Sequence, residues 1–179
     1  EAELDIECFH NWFLVGITDS ASGTRWDYQM VEGTKLDVPA ITALLQHFTI
    51  VTFNGQGYDV PMLCYALNGA TCAELKAAND DIICNGVRQW QFYKKYNAYP
   101  PEWLDHIDVS EPTPGVRVSL KQYACRMSSR LVQDSPVDFN LPLPLEHAPE
   151  EIEYCRNDRS ITRELRDTIS ARIDVRVRM

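Results

Sequence analysis

The sequence contains no apolar run of the roughly 18 to 20 residues that would cross a bilayer. Its first residues include Glu1, Glu3 and Asp5, so it also lacks the basic and then apolar start of a secretory signal. These absences predict a protein that neither spans a membrane nor is secreted. A cytoplasmic location is expected.

The six cysteines include no Cys-x-x-Cys pair, and no histidine lies at a zinc-like spacing from two of them. A zinc site is therefore not expected. Cys64 lies in the apolar stretch Met62-Leu63-Cys64-Tyr65, where a free thiol behaves as a small hydrophobic side chain. We expect reduced thiols, although the even number of cysteines leaves disulfide pairing open.

Positive charge is scarce, because 17 basic residues stand against 26 acidic ones and the net charge is −9. Seven of the basic residues are arginines between Arg156 and Arg178, so the end of the chain is locally basic and the rest strongly acidic. A simple basic coat for nucleic acid is excluded. The acidic excess either keeps the protein in solution or gathers carboxylates around divalent cations, and composition does not decide between the two.

The 179 residues suit one domain, and 45% hydrophobic with 24% charged residues is an ordinary globular composition, which excludes a disordered chain. Strands alternate with helices in the predicted order, which indicates an α/β fold. The hydrophobic pattern predicts strands over 4–8, 13–18, 24–30, 50–53 and 106–109, helices over 38–48, 72–79, 86–97 and 119–127, further helices starting at Asp59 and at about Glu150, and an irregular proline-containing loop over 128–149.

Five polar side chains fall where such a fold could bring them together. Asp5 and Glu7 are two residues apart on the first strand and therefore point to the same face. Asp59 follows the fourth strand and a glycine-containing turn, a place where α/β folds put functional groups, although a plain helix N-cap is the commoner role there. Tyr154 and Asp158 are four apart in the last helix and share one face of it. Acids gathered in this way repel one another unless divalent cations neutralise them.

These residues resemble the DEDD family of 3′-to-5′ exonucleases, in the subgroup that has tyrosine in the third motif. The three motifs match as Leu4-Asp5-Ile6-Glu7, as Phe53-Asn54-Gly55 with Tyr58-Asp59-Val60-Pro61, and as Tyr154-Cys155-Arg156-Asn157-Asp158. Residues 5–13, Pro114-Gly115 before Ser119-Leu120-Lys121, and Gln133-Asp134 are further similar to the proofreading exonuclease of phage-type DNA polymerases. The resemblance covers nearly the whole chain.

The resemblance implies a ribonuclease H-like fold, which is a mixed five-stranded sheet flanked by helices with the second strand antiparallel. It implies that residues 1–179 form a single exonuclease domain, either excised from a larger polymerase or acting as a small stand-alone enzyme. The implied activity is hydrolysis of DNA from its 3′ end during proofreading of replication, in the host cytoplasm if the protein is phage-encoded. The implied partners are a single-stranded DNA 3′ end and a covalently linked polymerase domain, with no membrane.

The resemblance also implies two Mg²⁺ or Mn²⁺ ions. Asp5 would bridge both ions, Glu7 and Asp158 would complete the inner one, and Asp59 would hold the outer one largely through water. Tyr154 would orient the attacking water. In such sites two ions roughly 3.5 to 4 Å apart clamp the scissile phosphate. Oxygen-only ligands suit these two metals better than zinc or copper.

Substrate contacts are expected from Asn54, which would touch the terminal nucleotide, and from Ile6, Cys8 and Phe9 along the first motif. Phe9 and Trp12 either stack on a base or pack in the core.

Two other segments allow a functional and a structural interpretation. The aromatic residues Trp90, Phe92, Tyr93 and Tyr96 could stack on bases, but their spacing favours a buried helix face. The arginine-rich end could follow DNA, but the acids among the arginines favour an ion-paired, solvated helix. Two alternative functions also stand beside the leading one: an RNA-trimming exonuclease, and a non-catalytic module of the same fold that binds nucleic acid or protein.

Overall fold

In the computed structural model, which describes residues 1–113 and 118–177, five strands form one mixed sheet. The sheet has the order β3-β2-β1-β4-β5, in which β2 is antiparallel to β1 and β3, and β4 is parallel to β1 and β5. Its strands are β1 (Ala2–Cys8), β2 (Trp12–Asp19), β3 (Arg25–Val31), β4 (Ile50–Thr52) and β5 (His106–Asp108). The expected α/β fold with a mixed five-stranded sheet is confirmed, and this layout is consistent with a ribonuclease H-like fold.

Helices cover both faces of the sheet. They are α1 (Val38–His47), α2 (Asp59–Leu67), α3 (Cys72–Ile83), α4 (Gln89–Tyr96), α5 (Leu120–Met127), α6 (Ala148–Thr168) and α7 (Ser170–Val177), with a short 3₁₀ turn at Leu145–His147 before α6. Leu4, Ile6 and Cys8 point from β1 into a core shared with α1 to α4. The alternate residues of β1 face α6 instead. Because both faces are covered, β1 is buried along nearly its whole length.

Local sequence signals explain where most helices begin. The Asp37 carboxylate accepts from the Ala40 N–H at 3.1 Å and caps α1, while capping boxes at Thr71 and Ser119 start α3 and α5. Pro149 is the second residue of α6, a position at which a missing N–H costs nothing. Helix α6 therefore begins at Ala148, within two residues of the predicted start at about Glu150, and a separate helix α7 follows it.

Other boundaries differ more from the prediction. Helix α3 runs on to Ile83 instead of ending at 79, and α4 is shorter than the predicted 86–97. The predicted irregular loop over 128–149 is irregular except for the 3₁₀ turn and the first residues of α6. The Pro114-Gly115 pair lies outside the described residues.

The long helix α6 lies unusually close to the sheet at β2. Asp5, Gly16 and Asp27 are paired neighbours across β1, β2 and β3 and so form one row on one face. A Cβ at Gly16 would lie 2.8 Å from the Sγ of Cys155 and 2.8 Å from the Cζ of Arg159. Glycine at position 16 therefore allows α6 to rest directly on the strand that separates Asp5 from Asp27.

All six cysteines are free thiols, and four of them are buried. Among the described helices, none is both long and apolar enough to cross a bilayer.

Candidate active site

The first pair of acids, Asp5 and Glu7, lies on the face of β1 that meets α6. Asp5 is half-buried and Glu7 is buried. One carboxylate oxygen of each lies within 4.8 Å of the other and of the Cys155 Sγ on α6. The alternation of the strand thus places both acids under the same helix, while Leu4 and Ile6 between them point into the opposite core.

The third acid, Asp59, is the first residue of α2 rather than its N-cap, which is Tyr58. The interpretation of Asp59 as a plain N-cap is therefore wrong. Its side chain is only 4% exposed, and its Oδ1 has no hydrogen-bond partner. A buried carboxylate oxygen without a partner is costly, so this position points to a missing ligand rather than to a structural role.

A tight turn after β4 directs the chain toward Asp59. Asn54 has a left-handed backbone with φ of 60°, and a Cβ at Gly55 would lie 2.0 Å from the Thr52 Oγ1, so only glycine fits there. The Asp108 carboxylate at the end of β5 accepts from the N–H groups of Asn54 and Gln56 at 2.8 and 3.0 Å. Asp108 therefore fixes the turn that carries Asn54 and ends at Asp59.

The third motif lies on α6 as expected for residues four apart. Tyr154 is buried and Asp158 is half-buried, and the Asp158 Oδ1 has no partner. The Lys121 Nζ lies 5.2 Å from the centre of the Tyr154 ring and forms a 2.7 Å ion pair with Asp134. Lys121 thus brings one positive charge to the edge of an otherwise acidic cluster.

The electrostatics show that these acids share one environment. Loss of water on burial, followed by the nearby charge of Asp158, raises the pKa of Asp5 to about 7, although Arg159 opposes the shift. Burial and the charge of Asp5 raise the pKa values of Glu7 and Asp59 well above the ordinary range. Each acid therefore resists ionisation chiefly because it is buried, and the charges of the neighbouring acids add to the effect.

The pKa values of Asp158 and Tyr154 are raised for the same main reason, which is burial. Burial raises the pKa of Asp158, while the Lys121 charge and the Tyr154 hydroxyl oppose the rise. Burial, with the charges of Asp158 and Glu7, also raises the pKa of Tyr154. The phenol therefore keeps its proton at neutral pH and offers a neutral Oη beside Asp158.

Divalent cations of the hard type fit this cluster. Asp5, Glu7, Asp59 and Asp158 offer only carboxylate oxygens, and two of those oxygens are buried without a partner. The nearby thiol is not an equivalent ligand, because burial and the adjacent acids raise the pKa of Cys155 well above its usual value. A protonated thiol is a poor metal ligand, so the chemistry of the donors favours Mg²⁺ or Mn²⁺ over zinc.

The predicted substrate residues fall into two groups. Asn54 lines an open cleft of about 550 Å³ together with Arg88 and Asp108, so its side chain is available to a ligand. Ile6 and Cys8 have buried side chains in the core under α2 and α3. These two positions are corrected from substrate-binding to core residues, because β1 alternation points them away from the acids.

Phe9 is also a core residue, and the prediction that it contacts substrate is corrected as well. Its ring is fully buried and stacks on Phe139 at a centroid distance of 4.9 Å, with Trp12 at 5.9 Å. The packed-core alternative for Phe9 and Trp12 is the one that the structure shows.

The aromatic helix α4 is mostly buried as its spacing predicted. Phe92 and Tyr93 are buried and Tyr96 is half-buried, but Trp90 is 64% exposed. The prediction of a buried face therefore holds for three residues and is wrong for Trp90, which begins α4 beside Arg88 and Gln89.

The arginine-rich helix is not simply solvated. Arg159 is only 1% exposed, and its Nη2 donates to the Asp27 Oδ1 at 2.6 Å. Arg156 also pairs with Asp27, and Arg166 pairs with Glu1 at 2.6 Å. The prediction of a solvated helix is wrong at Arg159, because these arginines pair with Asp27 on β3 and with Glu1 before β1 as well as with neighbours on the helix.

Sequence reasoning missed two acids at the site. Asp108 ends a strand parallel to β4, and carboxyl ends of parallel strands meet at one edge of a sheet, which could have identified it. Glu151 lies one helical turn before Tyr154, and its charge acts on Glu7. The Glu151 Oε1 accepts from Ser135 at 2.8 Å, while its buried Oε2 has no partner. Helical spacing alone could have placed Glu151 on the face of Tyr154.

Comparisons with protein-family models, with curated proteins and with solved structures returned no match to this chain. Four carboxylates and a neutral phenol at one buried position can hold divalent cations and orient a water molecule next to them. An open cleft lies at the turn that carries Asn54 and leads to Asp59, and its walls include Asn54, Arg88 and Asp108 rather than the four carboxylates.

Proposed function

We propose that this chain is a metal-dependent 3′-to-5′ exonuclease that hydrolyses phosphodiester bonds of DNA. One observation carries the proposal: carboxylate oxygens of Asp5 and Glu7 lie within 4.8 Å of each other, and Asp59 and Asp158 each keep a buried carboxylate oxygen without a hydrogen-bond partner. A fold has no reason to collect mutually repelling acids in a buried place unless a cationic ligand offsets their repulsion. The resemblance of their three motifs to DEDD exonucleases supports the choice of reaction.

Asp5, Glu7, Asp59 and Asp158 would hold two Mg²⁺ or Mn²⁺ ions. When bound, such ions supply activation of water and stabilisation of negative charge on the scissile phosphate and on the leaving 3′ oxygen. The four acids carry negative charge only reluctantly without metal, since burial raises their pKa values. Binding of cations would therefore release protons from the site.

Tyr154 and Asp158 would position the attacking water. The Tyr154 Oη keeps its proton, because burial and the neighbouring acids raise its pKa. A neutral hydroxyl can donate one hydrogen bond and accept another, so it can fix the direction of a water molecule without adding negative charge. Tyr154 thus orients the nucleophile, whereas the carboxylates hold the cations.

The 3′ end would enter through the cleft of about 550 Å³ at Asn54. The turn between Asn54 and Gln56 is held by Asp108, so the Asn54 side chain has a fixed origin at the cleft wall. Arg88 on the same wall would provide a positive charge for the phosphate backbone. A single strand suits an open cleft better than a duplex does, and hydrolysis would release mononucleotides. Proofreading beside a linked polymerase, in the cytoplasm, belongs to the same proposal.

Digestion of a 5′-labelled single-stranded DNA oligomer tests the proposal. With Mn²⁺ or Mg²⁺ we expect a ladder that shortens from the 3′ end, and with EDTA we expect none. Asp5→Ala should abolish the ladder, with its circular dichroism spectrum unchanged. Cleavage that persists in Asp5→Ala with Mg²⁺ would reject the assignment of these residues.

An RNA oligomer of the same sequence separates the two enzymatic alternatives. Faster shortening of RNA than of DNA would change the substrate to RNA, because the 2′-hydroxyl is the only difference in the sugar. If calorimetry detects no Mn²⁺ binding at millimolar metal, the non-catalytic binding module becomes the better account of the fold.

A further inference from the structure

A second polar cavity lies beside α6, where Arg156, Arg159 and Arg163 line it together with residues of β1 and β2 and with Arg25. It encloses about 100 Å³ and is lined by Arg25, Arg156, Arg159, Arg163 and Glu3 together with small residues. We call it the arginine cavity. One water molecule needs only about 10 to 15 Å³ of such space, so this cavity has room for a larger group.

The charges around the arginine cavity are not balanced within the described part of the chain. Asp27 accepts from both Arg156 and Arg159, and Arg156 also pairs with the exposed Glu153. Among the described residues, Arg25 has no ion pair within 4.0 Å, and neither does Arg163.

The only lining carboxylate, Glu3, is buried and accepts from the Ser20 hydroxyl at 2.7 Å. Asp167, whose charge also acts on Glu3, pairs with Arg166 and does not line the cavity. The wall itself therefore carries four guanidinium groups and one carboxylate, which favours an anion in the cavity.

The innermost arginine offers a donor that nothing in the described chain uses. Arg159 donates through Nη2 to Asp27 and through Nε to the Cys155 carbonyl oxygen at 3.4 Å, but its buried Nη1 has no partner. Leaving a buried charged donor unsatisfied is costly, and native proteins rarely do so. Arg159 lines the arginine cavity, but its Nη1 is buried in the wall, so the residue contributes its positive charge to the cavity rather than an exposed donor.

We propose that the arginine cavity binds a phosphate group. Guanidinium groups present planar pairs of N–H donors that match the oxygens of a phosphate, and Arg25 and Arg163, which form no ion pair among the described residues, would supply them. The phosphate is either inorganic phosphate or the end of a phosphate monoester such as a mononucleotide. The proposal does not depend on nuclease activity, because none of the four motif carboxylates and not Tyr154 lines the cavity.

Calorimetric titration of the full chain with inorganic phosphate tests the site. EDTA is present throughout, so that no cation at the carboxylates can hold the phosphate, and sodium chloride keeps the ionic strength constant. We expect saturable binding of one phosphate per chain. Arg163→Gln should weaken it at least tenfold, whereas Arg172→Gln, an exposed arginine on α7 that does not line the cavity, should leave it unchanged.

Two results would overturn the proposal: no saturable binding of phosphate beyond that of chloride, or equal weakening by Arg163→Gln and Arg172→Gln. If Arg163→Gln does not fold, Arg25→Gln on β3 gives the same comparison from a different element. Competition with a mononucleotide identifies the source of the phosphate. If the mononucleotide displaces inorganic phosphate, the natural ligand is a phosphate monoester. If it does not, the ligand is free phosphate, and either result supports the presence of the site.

Discussion

Gly16 on β2 and Cys155 on α6 lie so close that a Cβ at Gly16 would come within 2.8 Å of the Cys155 Sγ. A Cβ does not tolerate that distance, so a larger residue at Gly16 requires the Cys155 and Arg159 side chains, or α6 itself, to shift. Because α6 also carries Tyr154 and Asp158, close packing at Gly16 lets the third motif approach the acids of β1.

Gly16→Ala should therefore lower the free energy of unfolding by about 1 to 3 kcal/mol, the usual range for overpacking. Urea unfolding measures the change. Gly57→Ala is the matched control for stability, since its added carbon would lie 3.5 Å from the Asn54 oxygen, an ordinary contact, and should change stability by less than about 0.5 kcal/mol. Equal losses in the two variants would show that α6 does not depend on the absence of a side chain at Gly16.

Asp5→Asn should stabilise the metal-free protein at alkaline pH. Burial and neighbouring charge raise the pKa of Asp5 to about 7 from 3.8, so the folded chain holds this proton over a range in which the unfolded chain has lost it. The free-energy cost of ionising Asp5 in the folded chain is absent below pH 4. It grows between pH 4 and pH 7 and reaches its full value above pH 7. Since one pKa unit corresponds to about 1.4 kcal/mol, Asp5→Asn should gain on the order of 2 to 4 kcal/mol at pH 8.

Thermal unfolding of both proteins in EDTA from pH 5 to pH 8 checks this gain. Saturating Mn²⁺ should reverse the order at pH 8, because the metal stabilises only the chain that keeps Asp5. A difference between the proteins that does not change with pH would contradict the raised pKa.

Tyr154→Phe should reduce the rate of hydrolysis by about 10²- to 10⁴-fold, the range for losing a group that directs proton transfer. The ring and its packing under Lys121 remain, so the Mn²⁺ affinity measured by calorimetry should change less than about twofold. Single-turnover cleavage of the labelled DNA oligomer gives the rate. An unchanged rate would remove Tyr154 from the proposed mechanism.

Cys155→Ala should leave Mn²⁺ affinity almost unchanged, although the Sγ lies within 4.8 Å of oxygens of Asp5 and Glu7. Burial and the acids raise the pKa of this thiol, so it stays protonated and does not act as a ligand. Titration with Mn²⁺ and with Zn²⁺ measures both affinities. A loss of Mn²⁺ affinity of more than tenfold would place the sulfur in the metal site.

The hydrophobic pattern of the sequence was enough to predict the strands and most of the helices, because β1 and β2 are apolar where helices cover them. It did not predict the end of α3 or the start of α6, since these boundaries depend on helix packing and on the position of Pro149. The order of the strands required the resemblance to a known fold, because no local signal states that β4 joins the sheet next to β1.

The acids of the site could be predicted from spacing and motifs, but their surroundings could not. Asp5 and Glu7 share a face because strands alternate, a rule that also removes Ile6 and Cys8 from the substrate side. The burial of Arg159 against Asp27 joins residues 132 positions apart, a contact that no local pattern reveals.

The metal dependence of 3′-end shortening tests the central claim most directly. The rate on a 5′-labelled DNA oligomer should be zero in EDTA and should rise with free Mn²⁺ over the same concentrations at which calorimetry detects binding. The Asp5→Asn variant should neither bind Mn²⁺ with that affinity nor shorten the DNA oligomer. Cleavage that continues in EDTA, or Mn²⁺ binding at the carboxylates without any cleavage of DNA or RNA, would contradict the account.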